Sequence, residues 1–320
     1  MTPRYVLAID AGGTKCDAIL VREDGIVAGW GRAAPPGIGG RHPAAMTEAF
    51  EGAMNALPEG AAAVHIGCSG PALPKDLTGT SRAIRFVSYP IKEWEAALCQ
   101  ANHEWGVVAL SGTGAFVAAV TADGRQLRLD GVGPLLGDYG SAYEIGLAAM
   151  RAAMRSSWHP RHKTTLLEPV LETLGLEAAR EMIPLNDVHV GRDRVARIAV
   201  AVDRAAAAGD AVASAIIEQA AASLAGTLRD VVEMLEIRSE PYPLVGAGGV
   251  IVGSARFWQA FCRLAAEIAP AFKPEVIRLP PVAGVALYAL QRMEGIDLET
   301  ARKNLLASVQ EWVRRREAVS

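Results

Sequence analysis

A strand–turn–strand pattern with a glycine- and threonine-containing turn occurs twice in this chain and limits the folds open to it. The first copy covers residues 4–21 around the turn DAGGTK at 10–15, and the second covers 107–120 around SGTG at 111–114. In each copy two apolar runs meet at small residues, which is typical of a β-hairpin. Glycines let the backbone N–H groups of such a turn approach a ligand closely, and a phosphate can be held there. We therefore predict two related halves, each beginning with a hairpin.

The segments that follow each hairpin predict an α/β fold. In the first half we predict further strands at 26–31, 62–68 and 83–89, and helices at 43–57 and 92–101. In the second half we predict strands at 126–129, 242–245 and 275–279, and helices at 142–155, 195–208, 211–235, 255–269 and 282–293. Strands and helices in this order favour mixed sheets covered by helices. We expect an N-terminal domain over 1–105 and a C-terminal domain over 106–297, with a terminal helix at 298–318 that can pack back on the first domain.

Composition argues against several classes of function. The 320 residues carry a net charge of −3, and no basic run is interleaved with aromatic residues, which argues against a nucleic-acid groove. No apolar run approaches the roughly 18 residues of a membrane span, and the N-terminus lacks a signal-peptide pattern. The four cysteines, Cys16, Cys68, Cys99 and Cys262, are far apart, which disfavours a disulfide framework or a cysteine metal site. We expect a cytoplasmic protein with no nucleic-acid partner and no membrane partner.

Two glycine-containing segments carry groups that can bind a nucleotide. The first turn places Asp10 at the end of a buried strand, followed by two glycines, Thr14 and Lys15. An acid, a hydroxyl and a cation in one turn can approach phosphate oxygens and a hydrated magnesium ion, although Lys15 also fits an exposed turn residue. The second segment, GAGG at 246–249, joins a strand to a helix. Its glycines let the chain approach a flat or phosphorylated ligand.

These glycine clusters occur in the order seen in a known superfamily. Residues 10–15 resemble the first phosphate motif of the actin, sugar-kinase and Hsp70 ATPase superfamily, and residues 111–114 resemble the second. VGAGGV at 245–250 resembles the adenosine motif, and GPLLGDYGSAYEIG at 133–146 resembles the N-acetylglucosamine kinase branch, the BadF/BadG/BcrA/BcrD ATPase family. The resemblance implies an α/β fold of two duplicated ribonuclease H-like (actin-like ATPase) domains with a nucleotide cleft between them.

The resemblance also implies substrates and residue roles. A sugar hydroxyl would attack the γ-phosphate of ATP while Mg2+ and the loop amides neutralise charge, and domain closure would exclude water. On the matching positions, ATP would be bound by Gly12, Gly13, Thr14, Lys15, Gly112, Thr113, Gly114, Gly248 and Gly249. Asp10 would bind Mg2+ through water, and Asp138 corresponds to the carboxylate that contacts the sugar or amino sugar. A homodimer is a further expectation from the family.

Two acidic residues each have a second interpretation. The family normally has an aspartate as general base at the start of the helix predicted at 92–101, and that position here is Glu93. Glutamate has suitable chemistry but is one methylene longer, so Glu93 is either a working base or an acid favoured by the positive end of a helix. Asp138 is either the acceptor contact or a buried cap of the helix that follows Ser141.

The acceptor side departs from the family pattern. The positions expected to face the acceptor are Ala115, Phe116, Val132 and Gly133, where the family usually has small polar residues after the second phosphate turn and a tryptophan in place of Val132. The loop at 33–43 contains no asparagine, although the family commonly has one there. Sites built to hydrogen-bond a hydroxyl or amide reject poor matches steeply, so a changed pocket implies a changed acceptor.

Three functions remain open on the sequence. The first is ATP-dependent phosphorylation of a hydroxyl on a sugar or amino sugar, with an acceptor other than plain N-acetylglucosamine. The second is an ATP-binding sensor or regulator without phosphotransfer, which the substituted base and the apolar acceptor positions favour. The third is an activator ATPase of an iron–sulfur reductase, which needs cysteines near the second phosphate turn, where the sequence has only Cys99.

Overall fold

The computed structural model describes residues 3–12, 15–33, 43–59, 61, 63–69, 85–186 and 191–317. The chain forms two compact units, Met1–His103 with Leu279–Ser320, and Glu104–Arg278. The elements of the first unit are β1 (Tyr5–Ala11), β2 (Cys16–Arg22), β3 (Val27–Ala33), α1 (Pro43–Met54), β4 (Ala63–Ser69), β5 (Arg85–Ile91), α2 (Glu93–Ala101), α9 (Pro281–Leu290) and α10 (Leu298–Glu317). Those of the second are β6 (Gly106–Ser111), β7 (Ala115–Val120), β8 (Gln126–Asp130), α3 (Ala142–Ser156), α4 (Leu167–Leu174), α5 (Arg192–Ala207), α6 (Ala211–Leu235), β9 (Pro243–Ala247), α7 (Gly249–Gly253), α8 (Ala255–Ile268) and β10 (Lys273–Val276).

The two sheets have the same topology. Their strand orders are β3-β2-β1-β4-β5 and β8-β7-β6-β9-β10. In each sheet the first three strands form an antiparallel meander, and the remaining two add in parallel beside the first strand. The predicted α/β class with duplicated halves is confirmed.

The first sheet is covered on both faces because successive side chains of a strand point in opposite directions. Leu7 and Ile9 belong to a core cluster with Phe50 of α1, whereas Val6 and Ala8 belong to a cluster that includes residues of α9 and α10. Asp10 follows Val6 and Ala8 in this alternation. The strand pattern therefore places its carboxylate on the α9 face, at the carboxyl end of β1.

The segment 279–297 differs from the predicted domain division. We expected it in the C-terminal domain, but α9 packs against β1, β4 and α2 of the first unit. The helix is apolar on nearly every side, and Val282, Val285 and Leu287 are fully buried. Such a helix needs cover on several sides, which the first sheet, α2 and α10 provide. The unit boundary therefore falls before α9, and α10 also packs on the first unit.

Helix α6 meets the length and composition of a membrane span, with a hydropathy of 1.3 over its most apolar window. This differs from the expectation that no apolar run approaches a span. Within the second unit α6 contacts α5, α8 and β7, and it buries Ile217, Leu224 and Leu228 among others. Packing inside this unit buries 39% of that window.

Replacing Gly284 of α9 with alanine is expected to destabilise the first unit. A Cβ at Gly284 would lie 2.0 Å from the carbonyl oxygen of Ala96 in α2 and 2.7 Å from its carbonyl carbon. Both are backbone atoms, so the two helices would have to separate. We expect the free energy of unfolding to fall by about 1–3 kcal/mol, measured by urea denaturation.

The control for this substitution is Gly226→Ala in α6, where no atom of the described residues lies within 4 Å of a built Cβ. Alanine there is expected to raise the free energy of unfolding by up to about 1 kcal/mol through helix propensity. Equal effects of the two variants would contradict the close approach of α9 and α2.

Candidate functional site

Two glycine-rich turns meet in the second unit. Strands β6 and β9 are adjacent and parallel, with Leu110 opposite Ala247, so their carboxyl ends lie at the same sheet edge. Gly248, the next residue, has φ of +93°, and a Cβ on it would lie 2.3 Å from the carbonyl oxygen of Ser111. Only glycine combines this backbone conformation with so close an approach. The segments predicted as the second phosphate motif and the adenosine motif therefore touch through their backbones.

Backbone hydrogen bonds hold the SGTG turn, and the space beside it at Gly249 is open. The Gly112 N–H donates to the Gly114 carbonyl at 2.9 Å, and the Ala142 N–H donates to the Gly112 carbonyl at 2.8 Å. Gly249, the first residue of α7, is exposed, and no atom of the described residues lies within 4 Å of a built Cβ there. A Cβ built on Gly112 would lie 3.8 Å from the Gly249 nitrogen, so this open position adjoins the turn.

Asp138 lies against the SGTG turn. Its side chain is 3% exposed, and its Oδ1 accepts a hydrogen bond from the Ala115 N–H at 3.3 Å. A Cβ on Gly114 would lie 2.9 Å from the same oxygen. Its other oxygen, Oδ2, forms an ion pair with the Arg192 guanidinium. The carboxylate is thus fixed from both sides beside the turn.

The second interpretation of Asp138, as a helix cap, does not fit. The N-cap of α3 is Ser141, whose side chain accepts from the Glu144 N–H at 3.2 Å. Asp138 precedes this cap and has left-handed backbone, with φ of 60°. Its own N–H donates to Asp130 Oδ1 at 2.6 Å. Asp138 thus adopts an unusual backbone conformation that directs its carboxylate at β7.

Asp130, at the end of β8, organises the loop around Asp138. Its two oxygens accept hydrogen bonds from the backbone N–H groups of Gly131 at 2.6 Å, Asp138 at 2.6 Å and Tyr139 at 2.8 Å. A Cβ on Gly137 would lie 2.2 Å from Asp130 Oδ1. This carboxylate closes the segment from β8 to α3 into a compact loop.

The other predicted acceptor residues are arranged differently. Ala115 and Phe116 are 1% and 3% exposed in β7, so their side chains offer no surface to an acceptor, and Ala115 acts through its N–H on Asp138. Val132 is 61% exposed, and Gly133 has φ of +95° in the same loop. The apolar residues at 115 and 116 serve the packing of the strand, because both faces of β7 are covered.

In the first unit, two carboxylates lie side by side. The β1–β2 register pairs Asp10 with Asp17, and Ser69 of β4 lies on the other side of Asp10. Asp17 accepts hydrogen bonds from Arg32 at 2.8 Å and from the Trp30 ring N–H at 3.1 Å. These bonds lower the pKa of Asp17, although burial opposes them. Asp17 is therefore ionised and compensated beside Asp10.

Burial, together with the negative charges of Glu93 and Asp17, raises the pKa of Asp10 to about 7, although the positive charge of Lys15 opposes the rise. The Lys15 Nζ lies 3.4 Å from Asp17 Oδ2 and is 41% exposed. A bound cation would relieve the desolvated carboxylate of Asp10. Among the described residues no group of three or more histidine, cysteine or acidic side chains could hold a metal. Mg2+ typically keeps most of its waters, so a single carboxylate fits a water-mediated site.

Glu93 is exposed at the first position of α2 and is close enough to raise the pKa of Asp10. The helix start is closed by a different acid, since Glu95 Oε2 accepts from the Lys92 N–H at 2.9 Å. Glu95 thus makes the capping hydrogen bond at this helix end. Glu93 is exposed in the same first turn, and both of its interpretations remain predictions.

The first phosphate turn is described only in part. The Gly12 N–H donates to the Lys15 carbonyl at 3.0 Å, which closes the turn. Gly13 and Thr14 lie outside the described residues, as does most of the loop at 33–43. Their predicted roles remain predictions.

Three residues of these sites were absent from the sequence analysis. Asp17 had a usable signal, because a four-residue turn after Ala11 pairs Asp10 with Asp17. Asp130 precedes a glycine at the end of a strand, a common turn pattern. Arg192 follows Asp138 by 54 residues and had no local signal.

Replacing Asp10 with asparagine is expected to change how stability depends on pH. Between about pH 4 and about pH 7 the folded Asp10 carboxyl is protonated while the unfolded one is ionised. The wild-type free energy of unfolding therefore falls as pH rises through that range. Above about pH 7 the loss is complete. Asparagine avoids it, so the variant should gain a few kcal/mol relative to wild type from acid to neutral pH. Urea denaturation without Mg2+ measures this, and a pH-independent difference would contradict it.

Comparisons with known proteins agree with these features. The model of the BadF/BadG/BcrA/BcrD ATPase family matches residues 7–289. An N-acetylmuramic acid/N-acetylglucosamine kinase from Clostridium acetobutylicum is 31% identical over 202 residues, which are 60% of this chain and 65% of the relative. An N-acetyl-D-glucosamine kinase from Dictyostelium discoideum is 31% identical over 150 residues, which are 46% and 47%. The match thus spans less than two thirds of either curated relative.

A solved structure from Chromobacterium violaceum, provisionally named an N-acetylglucosamine kinase, has the same fold. Its TM-score is 0.67 at 21% identity, and the match covers 90% of this chain and 99% of that one. With the duplicated sheets, this likeness gives the two-domain actin-like ATPase fold. Because the family model matches most of the sequence, the chain belongs to the BadF/BadG/BcrA/BcrD ATPase family.

Proposed function

We propose that this protein is an ATP-dependent phosphotransferase acting on a hydroxyl of a sugar or amino sugar. The observation that carries the proposal is the contact between the Asp138 carboxylate and Gly114 of the SGTG turn. It puts a group that can accept a hydrogen bond from an acceptor hydroxyl beside a turn that can hold a phosphoryl group. The names of the two curated relatives support the same reaction and favour an N-acetylated amino sugar as the acceptor class.

The proposed nucleotide-binding residues form two groups, one in each unit. In the second unit, Gly112, Thr113 and Gly114 would bind phosphate oxygens, with Gly248 and Gly249 near the adenosine. In the first unit, Gly12, Gly13, Thr14 and Lys15 would bind phosphate oxygens, and Asp10 would hold Mg2+ through water. The metal would supply positive charge against the transferred phosphoryl group, and preorganised charge of this kind is usually the largest contribution to catalysis.

Glu93 would act as the general base. Its carboxylate is exposed at the first position of α2, so it is accessible to a bound acceptor. It would take the proton of the attacking hydroxyl, and Asp138 would orient the acceptor. Since the side chains of Ala115 and Phe116 are buried, the acceptor would be read by Asp138, by the backbone of Gly133 and by the loop that carries Val132. Because few polar groups would contact the acceptor, we expect an acceptor other than plain N-acetylglucosamine.

The test is ADP release in a coupled assay with Mg-ATP. The acceptor panel contains N-acetylglucosamine, N-acetylmuramic acid, glucosamine, neutral hexoses and polyols, and the phosphorylated product is identified by mass spectrometry. We expect acceptor-dependent turnover that is highest for an N-acetylated sugar and falls at least about a hundredfold in Asp138→Asn. ATP binding without acceptor-dependent turnover across the panel would instead favour the sensor or regulator.

The activator ATPase receives no support from the cysteine nearest the second phosphate turn. Cys99 is buried in α2, its thiol lies 3.5 Å from the Gln291 side-chain oxygen, and burial raises its pKa to about 11. Such a thiol suits packing better than cluster ligation.

A homodimer and a cytoplasmic location belong to the proposal as well. Light scattering of the purified protein tests the first, and cell fractionation tests the second.

A further inference from the structure

We infer that Arg192 is a positioning residue that holds the Asp138 carboxylate in place beside the SGTG turn, where it would contact the acceptor. The inference rests on the proposed function, in which Asp138 contacts the acceptor. The Arg192 guanidinium pairs with Asp138 Oδ2, and the Ala115 N–H donates to Oδ1 at 3.3 Å. The Gly133 N–H also hydrogen-bonds this carboxylate. A carboxylate has about four acceptor positions, so one is left for an acceptor hydroxyl.

The packing of α3 on α5 fixes where Arg192 lies. Gly146 of α3 meets the backbone of Val195 in α5 so closely that a Cβ on Gly146 would lie 2.0 Å from the Val195 carbonyl oxygen. Arg192 lies one turn before Val195, and Asp138 lies just before the start of α3. The close helix crossing therefore brings the two charged side chains together, although they are 54 residues apart.

The placement of Arg192 is unfavourable for α5 itself. Arg192 is the first residue of the helix, and the N-cap Gly191 offers no side-chain hydrogen bond. A cation at this end opposes the helix dipole. The Arg192 Nε is also buried and has no hydrogen-bond partner among the described residues. Both effects make this position unfavourable for an arginine. The position does, however, allow Arg192 to pair with Asp138.

The pKa of Asp138 is raised overall, and Arg192 opposes the rise. Burial raises the pKa of Asp138, and the negative charge of Asp130 raises it further. Arg192 lowers the pKa, as do the backbone N–H groups of Ala115 and Gly133. Among the described residues, Arg192 and Asp130 are the charged groups with the largest effect on this pKa. Without Arg192 the carboxyl would hold its proton to higher pH and would lose its contact at Oδ2.

The experiment compares Arg192→Gln and Arg192→Lys with the wild type and with the control Arg197→Gln. Arg197 is on the same helix and pairs with Asp193 at the surface. In Arg192→Gln we expect the acceptor KM to rise at least about tenfold, with a smaller change in kcat and no change in the KM for ATP. The acid limb of kcat/KM should move to higher pH. Lysine should restore part of the acceptor KM, and Arg197→Gln should match the wild type.

A second readout needs no turnover. Carbon-13 NMR titration of the Asp138 carboxyl should show its pKa higher in Arg192→Gln than in wild type. An unchanged Asp138 pKa would overturn the inference even if the protein proves not to be a kinase. The opposite result is also possible: the Asp138 pKa rises in Arg192→Gln, but the wild-type protein turns over no acceptor. The pairing of Arg192 with Asp138 would then stand, and the proposed function would be refuted.

The acceptor panel separates positioning from direct binding. A positioning role predicts the same loss for neutral N-acetylglucosamine as for N-acetylmuramic acid, which carries a carboxylate. A loss confined to the acidic sugar would mean that Arg192 binds the acceptor itself, and this would overturn the inference. Circular dichroism and urea denaturation of each variant establish that it is folded before the kinetic comparison.

Discussion

Glu93→Gln is expected to lower kcat by about a hundred- to ten-thousandfold while Mg-ATP binding stays close to that of wild type. Glutamine has nearly the same shape as glutamate but cannot accept the proton of the attacking hydroxyl. Glu93 is exposed at the start of α2, so the substitution should leave the packing of the helix unchanged. Acceptor-dependent ADP release measures kcat, and titration calorimetry measures nucleotide affinity.

Glu95→Gln is the matched control, because Glu95 lies in the same first turn and accepts from the Lys92 N–H. Glutamine retains an oxygen for that bond, so this variant should keep wild-type kcat. Glu93→Asp should retain more activity than Glu93→Gln, because a shorter carboxylate can still take a proton. A Glu93→Gln variant with wild-type kcat would remove Glu93 from the mechanism, whatever the acceptor proves to be.

Gly248→Ala is expected to lower the free energy of unfolding by about 2–4 kcal/mol and kcat/KM for ATP by about a hundredfold. The Gly248 backbone has φ of 93° and ψ of 158°, a region that other residues rarely adopt. A Cβ there would lie 2.3 Å from the Ser111 carbonyl oxygen and 2.9 Å from the Gly112 nitrogen. Relieving the clash requires the two glycine-rich turns to separate. Urea denaturation and ATP kinetics measure the two losses.

Neighbouring glycines separate strain from ligand contact. Gly253→Ala, at the end of α7, has no atom of the described residues within 4 Å of its Cβ and should behave like the wild type. Gly249→Ala is equally open in the protein but lies on the proposed adenosine side, so its stability should be unchanged while ATP binds more weakly. Wild-type ATP kinetics in a folded Gly248→Ala variant would contradict the proposed nucleotide site.

Local sequence determined most of the secondary structure and the two turns. Residues 211–235 were predicted as a helix, and α6 has these bounds. The helix begins there because Asp210 accepts hydrogen bonds from the N–H groups of Val212 and Ala213. The β6–β7 hairpin follows from two apolar runs around SGTG, since strand pairing across a short turn is a local property. The duplication could be predicted for the same reason, because both halves repeat this pattern.

Tertiary structure alone decided which distant groups meet. Arg192 reaches Asp138 through the close crossing of α3 and α5, and no pattern near either residue indicates it. The burial of Phe116 and the return of α9 to the first sheet likewise depend on which surfaces pack together. Local sequence specifies backbone conformation and apolar faces, since those depend on near neighbours. The partner of a face or a charge depends on residues far along the chain, and only the folded protein selects it.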